Sequence, residues 1–239
     1  MVMLDYDGTL SPIAPRPEDA LLPPATRDVL AALGARWQTA IISGRGLANL
    51  REMVGLGEII YVGNHGLEIE GPAGSGMRRN LAEDFAPDVA AAGAELKTAL
   101  DDVDGSLVED KRYSLSVHYR LVVPEQVPAV EAAVDAAVAG HPRLEKRNGK
   151  KVFELRPKLE WDKGKAVRWL LQVIDDDGAG MLPIYVGDDL TDEDAFRELV
   201  EDGVGVLVSE EPRETAATHR LRDTEEVRRF LARLAGAKD

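Results

Sequence analysis

Two carboxylates two residues apart stand near the start of the chain, in Asp5-Tyr6-Asp7-Gly8-Thr9. The short apolar run Val2 to Leu4 precedes them, as a buried strand would. Carboxylates at i and i+2 just past a strand end can face one site. An ionised Asp can attack phosphorus and form an aspartyl-phosphate, so Asp5 is a candidate nucleophile. Two other apolar runs end in polar signatures. Thr39 to Ile42 ends in Ser43-Gly44-Arg45, and Ile184 to Val186 ends in Gly187-Asp188-Asp189. In an open parallel sheet, ligands bind beyond the carboxyl ends of the strands. The three signatures are therefore expected at one edge. Mg2+ prefers oxygen ligands and is held by one or two carboxylates plus substrate phosphate. Asp5, Asp7 and Asp188 are suitable donors. Ser43, with Gly44, is placed to bind a phosphate oxygen, and Lys163 at a helix start to set a positive charge beside it.

Each piece alone has an ordinary reading. Asp-x-Asp-Gly is often a turn, and Ser-Gly-Arg often caps a helix. Asp188 to Asp194 suits an acidic helix start, and Lys163-Gly164-Lys165 suits a solvated surface. Four such features in this order, each beside a strand end or helix start, are hard to explain as independent turns.

The elements that must position them alternate. Helical spacing at Thr26–Arg36 and Leu47–Val54, with a buried run at Ile59–Val62, continues the first pattern. Ser11 to Pro24, with five prolines, is a loop. The middle differs: Pro87–Leu100 and Pro124–Ala139 read as helices. Leu107–Asp110, Ser114–Tyr119, Leu144–Arg147 and Lys151–Leu155 read as strands, and Asn148-Gly149 as a hairpin turn. After Pro157 the first pattern resumes, with helices at 163–173, 192–200 and 225–234 and strands at 184–186 and 204–208. Residues 1–71 and 158–239 are thus read as one Rossmann-like parallel-sheet α/β core. Residues 72–157 are read as a smaller inserted α+β domain.

The 239 residues suffice for one large core plus a smaller one. A net charge of -14 argues against nucleic acid and anionic membranes as partners. The chain has no cysteine, so it has no disulfide, thiolate site or Cys nucleophile, which fits the cytoplasm. No apolar run approaches the ~20 residues needed to span a bilayer. A monomer acting on a small molecule is expected. An anionic substrate needs a locally basic or metal-bridged site. From Glu145 to Lys158 six basic residues (Lys146, Arg147, Lys150, Lys151, Arg156, Lys158) face two acidic ones, a candidate for drawing it in.

The four features together resemble the haloacid dehalogenase superfamily of phosphotransferases: Asp5-Tyr6-Asp7-Gly8-Thr9-Leu10, Ser43, Lys163, and Gly187-Asp188-Asp189 with Thr191-Asp192. The resemblance implies that Asp5 is the nucleophile and Asp7 the general acid/base. It implies that Asp5, the Asp7 backbone carbonyl and Asp188 hold Mg2+. Asp189 and Asp192 would stand around Lys163 and the metal waters, and Arg45 would support the site from behind. A narrower resemblance covers nearly the whole chain. Asp5 to Ile13, Gly63-Asn64-His65-Gly66-Leu67-Glu68, His118-Tyr119-Arg120, Glu154-Leu155-Arg156-Pro157 and Asp188 to Asp194 look like trehalose-6-phosphate phosphatases. In that family the insert is a cap over the sugar. The resemblance points to Glu109, Lys111 and Glu154 as cap contacts, and to Asn64 and His65 as contacts from the core. His118, in an alternating strand, is expected to be structural. Sucrose, glucosylglycerate and mannosylglycerate phosphates are the nearest other substrates. A silent regulatory module would be expected to have lost Asp5, Asp7 or a metal Asp.

Overall fold

The structure is a computed structural model that describes residues 1–174 and 180–237. The chain divides into two compact units, Met1–Arg79 with Trp161–Asp239, and Asn80–Glu160.

In the first unit the strands are β1 (Val2–Leu4), β2 (Thr39–Ile42), β3 (Ile60–Gly63), β4 (Glu68–Glu70) and β5 (Arg78–Asn80). The helices α1 (Pro24–Arg36) and α2 (Leu47–Val54) lie between them. The second unit then contributes α3 (Ala86–Ala99), β6 (Leu107–Asp110), β7 (Leu115–His118), α4 (Val127–Gly140), β8 (Leu144–Gly149) and β9 (Val152–Pro157). The first unit resumes with α5 (Lys163–Ile174), β10 (Ile184–Gly187), α6 (Asp192–Glu198), β11 (Val204–Val208), β12 (His219–Leu221) and α7 (Thr224–Leu234).

The large sheet runs β12-β11-β10-β1-β2-β3-β4-β5. From β12 to β3 every neighbouring pair is parallel, and β4 joins β3 antiparallel. Successive side chains of a strand point to opposite faces, and both faces here are apolar, as a parallel sheet requires. Val2, Leu4, Ile41 and Val186 enter one core with Leu30 and Leu33 of α1 and Val227 and Leu231 of α7. Met3, Ala40, Ile42 and Tyr185 enter the other with Ala166, Val167 and Leu170 of α5 and Phe196 of α6. β1 has only three residues, yet it pairs on both sides, with β10 and β2.

The chain leaves the first unit later than the Gly71-to-Pro157 boundaries drawn from the sequence. β5 still belongs to the large sheet. Arg79 sets its guanidinium over the rings of Trp161 and Trp169, at 4.7 and 5.1 Å from their centroids. Both crossings are therefore tied to the first unit by one cation–π stack.

The second unit shows the expected order α-β-β-α-β-β, with an antiparallel sheet β6-β7-β9-β8. Leu115, Val117, Phe153 and Leu155 pack with Val89 and Leu96 of α3 and Val130 and Val134 of α4. The opposite face is polar. Glu109, Ser116, Glu154 and Arg147 lie in one row across the four strands. The hairpin turn differs from expectation. Asn148 and Gly149 pair with Phe153 and Val152 inside the ladder, so the turn falls on Lys150 and Lys151. Lys151 adopts φ +66, the left-handed conformation that Asn or Gly was expected to supply.

Candidate active site

The topology puts four strand ends side by side. In the order β10-β1-β2-β3 the residues just past them are Asp188, Asp5, Ser43 and Asn64. The three predicted signatures meet there, and Lys163 comes to them from the first turn of α5.

Lys163 is 3% exposed and donates from Nζ to Asp5 Oδ1 at 2.7 Å and Asp192 Oδ1 at 2.6 Å. Burial alone would push its proton off, but Asp192 and Asp5 more than offset this and raise its pKa well above the ordinary value. Asp192 is the most heavily engaged carboxylate. Its Oδ1 also accepts from Tyr185 Oη at 2.7 Å, and its Oδ2 accepts the backbone N–H groups of Asp188 and Asp189 at 3.0 and 2.9 Å. Burial disfavours its charge, yet Lys163 holds its pKa below the ordinary value, with the Tyr185 and Asp189 hydrogen bonds helping. Burial is also the main force on Asp5. It raises the Asp5 pKa well above 3.8, opposed by Lys163 and reinforced by Asp192 and Asp188.

Asp5, Asp188 and Asp192 each present a carboxylate oxygen, and the three lie within 4.8 Å of one another. Oxygen donors at this spacing suit a hard divalent cation. Asp192 was read from the sequence as standing behind the metal. The structure gathers it into this group, although both of its oxygens already accept hydrogen bonds. Asp188 packs directly over Gly8, where a Cβ would lie 2.4 Å from Asp188 Oδ2. Gly8 also adopts φ +85, so the turn needs glycine on both counts.

Asp7 sits apart from this cluster in its interactions. Its Oδ2 accepts from Arg45 Nε at 2.8 Å and its Oδ1 from Arg45 Nη2 at 2.7 Å, a bidentate pair. Arg45 is itself fixed by Pro17 O and Asn49 Oδ1 and lies over the buried Tyr6 ring. The Arg45 side chain is 7% exposed and that of Asp7 39%, so the acid has room to turn away from its partner.

Ser43 is buried, and its Oγ accepts from Arg45 N. Gly44 makes room for the His65 ring, because a Cβ there would meet His65 Nε2 at 2.4 Å. Asn64 and His65 take φ +50 and +56, held by bonds from their N–H groups to Arg45 O and Ser43 O. Asn64 Nδ2 donates to Glu68 Oε2 at 2.6 Å. Asn64, His65, Ser43, Gly44 and Arg45 are thus one interlocked pair of loops. Asp189 joins through its N–H to Asp192.

Glu109, Lys111 and Glu154 belong to the second unit and gather on the polar face of its sheet. Lys111 Nζ lies 3.7 Å from Glu154 Oε1, Arg156 pairs with Glu154, and His118 Nε2 contacts Glu109 Oε2 at 2.8 Å. The basic excess of the hairpin is smaller than its sequence count. Lys146 is paired with Glu131 and Asp135, Arg147 with Glu145, and Arg156 with Glu154. Helix α4 supplies two of those acids, from outside the window that made the segment look basic. Tyr185 was not anticipated as a site residue. Its place in the apolar run Ile184-Tyr185-Val186 made it core, and only its hydroxyl, three residues before Asp188, hinted otherwise.

This sheet order, with the acidic cluster at its edge, is that of the haloacid dehalogenase fold. Comparison with known proteins sharpens the class. A family profile described as trehalose-phosphatase matches residues 3–225. The probable trehalose-phosphate phosphatase 3 of Oryza sativa subsp. japonica is 39% identical over 255 residues, taking in 100% of this chain and 70% of that protein. The C-terminal domain of a C. albicans trehalose-6-phosphate phosphatase superposes with a TM-score of 0.83 at 28% identity, over 98% of this chain and 92% of that one. The C-terminal domain of the Candida albicans trehalose synthase regulatory protein shares the fold at a TM-score of 0.73 and 13% identity, over 98% and 93% of the two chains. The chain belongs to the trehalose-phosphatase family, and the plant relatives it matches are named trehalose-phosphate phosphatases, which are phosphoric monoester hydrolases. Among the described residues no helix is long and apolar enough to cross a membrane.

Two outcomes follow from the cluster. Gly8→Ala should displace Asp188 and cut turnover by about 10²-fold, the scale of an ångström-level misplacement. Steady-state kinetics beside a thermal melt checks it, since unchanged kcat would mean that the turn absorbs the methyl group. In the chelated, metal-free protein, Asp5→Asn takes a partner from Lys163 and also removes a charge whose burial is costly, so its stability relative to wild type should rise with pH. Asp5 has a raised folded-state pKa, so its ionisation costs nothing below 3.8. The cost grows as pH rises from there and is complete above the folded-state pKa. The gap in melting temperature, Asp5→Asn minus wild type, should therefore grow from pH 4 toward neutrality, by about 2–4 °C per kcal/mol. A gap that falls over that range contradicts the assigned direction.

Proposed function

We propose that this chain hydrolyses trehalose 6-phosphate to trehalose and phosphate, with Mg2+, through an aspartyl-phosphate on Asp5. The observation that carries the chemistry is the buried Lys163 ammonium bridging Asp5 and Asp192 at the sheet edge. The substrate rests on the family.

Asp5 attacks the phosphorus in line with the sugar oxygen. Lys163 and the Ser43 hydroxyl receive phosphoryl oxygens, and Gly44 lets the strand end come close to them. Asp7 gives a proton to the leaving sugar oxygen. It then takes one from the water that hydrolyses the acyl-phosphate and so regenerates Asp5. To do either, Asp7 turns away from Arg45, which in this structure occupies both of its oxygens. Asp5, Asp188 and the Asp7 backbone carbonyl would hold Mg2+, with Asp192 and Asp189 orienting the loop behind it. When bound, the cation offsets carboxylate–phosphate repulsion and polarises the phosphoryl group. The second unit serves as the cap, and Glu109, Lys111 and Glu154 are assigned to sugar hydroxyls, which both donate and accept. Asn64 and His65 meet the substrate from the core.

A second reading has one supporting observation, the fold shared with a regulatory protein's domain. It predicts no turnover. The same core with another sugar phosphate predicts turnover on a different substrate.

Phosphate release from a panel of trehalose, sucrose, glucosylglycerate and mannosylglycerate phosphates, with and without Mg2+, separates these readings. Trehalose 6-phosphate should be preferred, and EDTA and Asp5→Asn should each abolish release. Asp7→Asn should lower kcat by about 10²–10⁴-fold, the usual share of acid–base catalysis. Activity that survives Asp5→Asn refutes the nucleophile, and a flat response across the panel removes trehalose while leaving the phosphatase. A further pair, Lys111→Met and Glu154→Gln, should raise KM for trehalose 6-phosphate far more than for a small phosphate ester. Equal effects on both would deny them contact with the sugar.

A further inference from the structure

One charged side chain outside all the predicted signatures reaches the loop that carries Asp188. Arg213 lies between β11 and β12, in Glu211-Pro212-Arg213-Glu214, a stretch that reads as ordinary charged surface. Its Nη2 donates to the backbone carbonyls of Asp188 and Asp189, at 3.2 Å each, and lies 3.5 Å from Glu193 Oε1. Glu193, on α6 and 6% exposed, accepts the N–H of Ala216 through its other oxygen at 2.9 Å. One buried carboxylate thus anchors both the guanidinium and the loop that bears it.

The peptide groups at Asp188 and Asp189 are held on both sides. Asp192 Oδ2 takes their N–H groups, and Arg213 takes their carbonyls. A strand end held only through its N–H groups can still rock about that contact. A second contact on the carbonyl side removes the freedom, and with it the freedom of the Asp188 side chain to turn from Asp5. A guanidinium suits this place because it stays charged and its geometry is rigid.

We propose that Arg213 is a positioning residue for the metal-binding carboxylate of Asp188, acting through the backbone it holds. The inference rests on the reading of Asp5 and Asp188 as ligands to a divalent cation. Groups that orient metal ligands typically change metal affinity by about 10–100-fold when removed. The bland alternative is that Arg213 only tethers its own loop. Arg220 supplies a control, since its Nη1 reaches Glu210 O of the same loop at 3.5 Å without contacting Asp188 or Asp189.

The experiment is calorimetric titration of the full chain with Mg2+ alone, for wild type, Arg213→Gln, Arg213→Lys and Arg220→Gln. Circular dichroism verifies the fold of each, and KM for the sugar phosphate is measured at saturating Mg2+. Arg213→Gln should bind Mg2+ about 10–100-fold more weakly, with KM near wild type once the cation saturates. Arg213→Lys should lie between, and Arg220→Gln should match wild type. Wild-type Mg2+ affinity in Arg213→Gln overturns the inference, as does an equal loss in Arg220→Gln. In both cases the cation reading stands, because wild type still binds Mg2+. A wild-type chain that binds no Mg2+ overturns that reading and this inference together. Should Arg213→Gln fail to fold, Arg213→Lys decides by the same criterion.

Discussion

The constraint on which this structure depends is the burial of the Lys163 ammonium. An ion taken out of water is tolerable only with close partners of opposite charge and its remaining hydrogen bonds met. Lys163 has two such partners, Asp5 past β1 and Asp192 at the start of α6. Those two come from chain segments far apart in sequence. For both to reach one nitrogen, β1 must lie beside β10 and α5 must begin at their carboxyl ends. Asp192 in turn has more acceptor positions than Lys163 fills, and Tyr185 and two backbone N–H groups take up the rest. The shape of the Asp188–Asp189 loop is therefore a consequence of satisfying Asp192.

The same cluster separates the two carboxylates of the first motif. Asp5 and Asp7 are two residues apart, yet one is walled into a set of acids around a single ammonium and the other is on a partly open turn, clasped by an arginine. Burial among Asp188 and Asp192 disfavours the Asp5 charge even with the Lys163 ammonium beside it, and a divalent cation at the proposed site would relieve that. Asp7 is held through both oxygens by Arg45 on a partly open turn, so the proposed acid/base role requires it to turn away first. Environment, and not spacing, distinguishes the two carboxylates.

Much of this was legible in the sequence because strand ends of a parallel sheet converge whatever lies between them. Asp5, Ser43 and Asp188 each follow a continuous apolar run, and such runs mark buried strands. What escaped detection did so for physical reasons. β4, β5 and β12 are three-residue pieces toward the sheet edges, too short to show a period. Asn148-Gly149 satisfies the usual turn preference, but the cross-strand pairing of Phe153 and Val152 took those two residues into the ladder and left the left-handed position to Lys151. The hairpin looked basic because its acidic partners, Glu131 and Asp135, lie on a helix more than ten residues upstream. Tyr185 and Arg213 act through single polar atoms on residues whose type suggests core and surface respectively. Backbone carbonyls, which Arg213 reads, leave no trace in a sequence.

The fold itself does not decide between an enzyme and a silent module, since a regulatory protein's domain shares it at 13% identity. The cluster does bear on the choice. Buried ion pairs are weak sources of stability, and apolar residues of similar volume often serve as well or better. Three carboxylates within 4.8 Å repel one another, and one ammonium does not neutralise them. Asn64 and His65 adopt left-handed backbone beside the same strand ends, and Gly8 leaves no space for any side chain there. A domain selected only to fold or to bind a partner gains nothing from this arrangement. An enzyme that must accept a cation and a phosphate at one edge gains the charge complementarity that makes it tolerable. Several features unfavourable to stability thus coincide where β10, β1, β2 and β3 end, and that coincidence is the strongest physical argument that chemistry is done there.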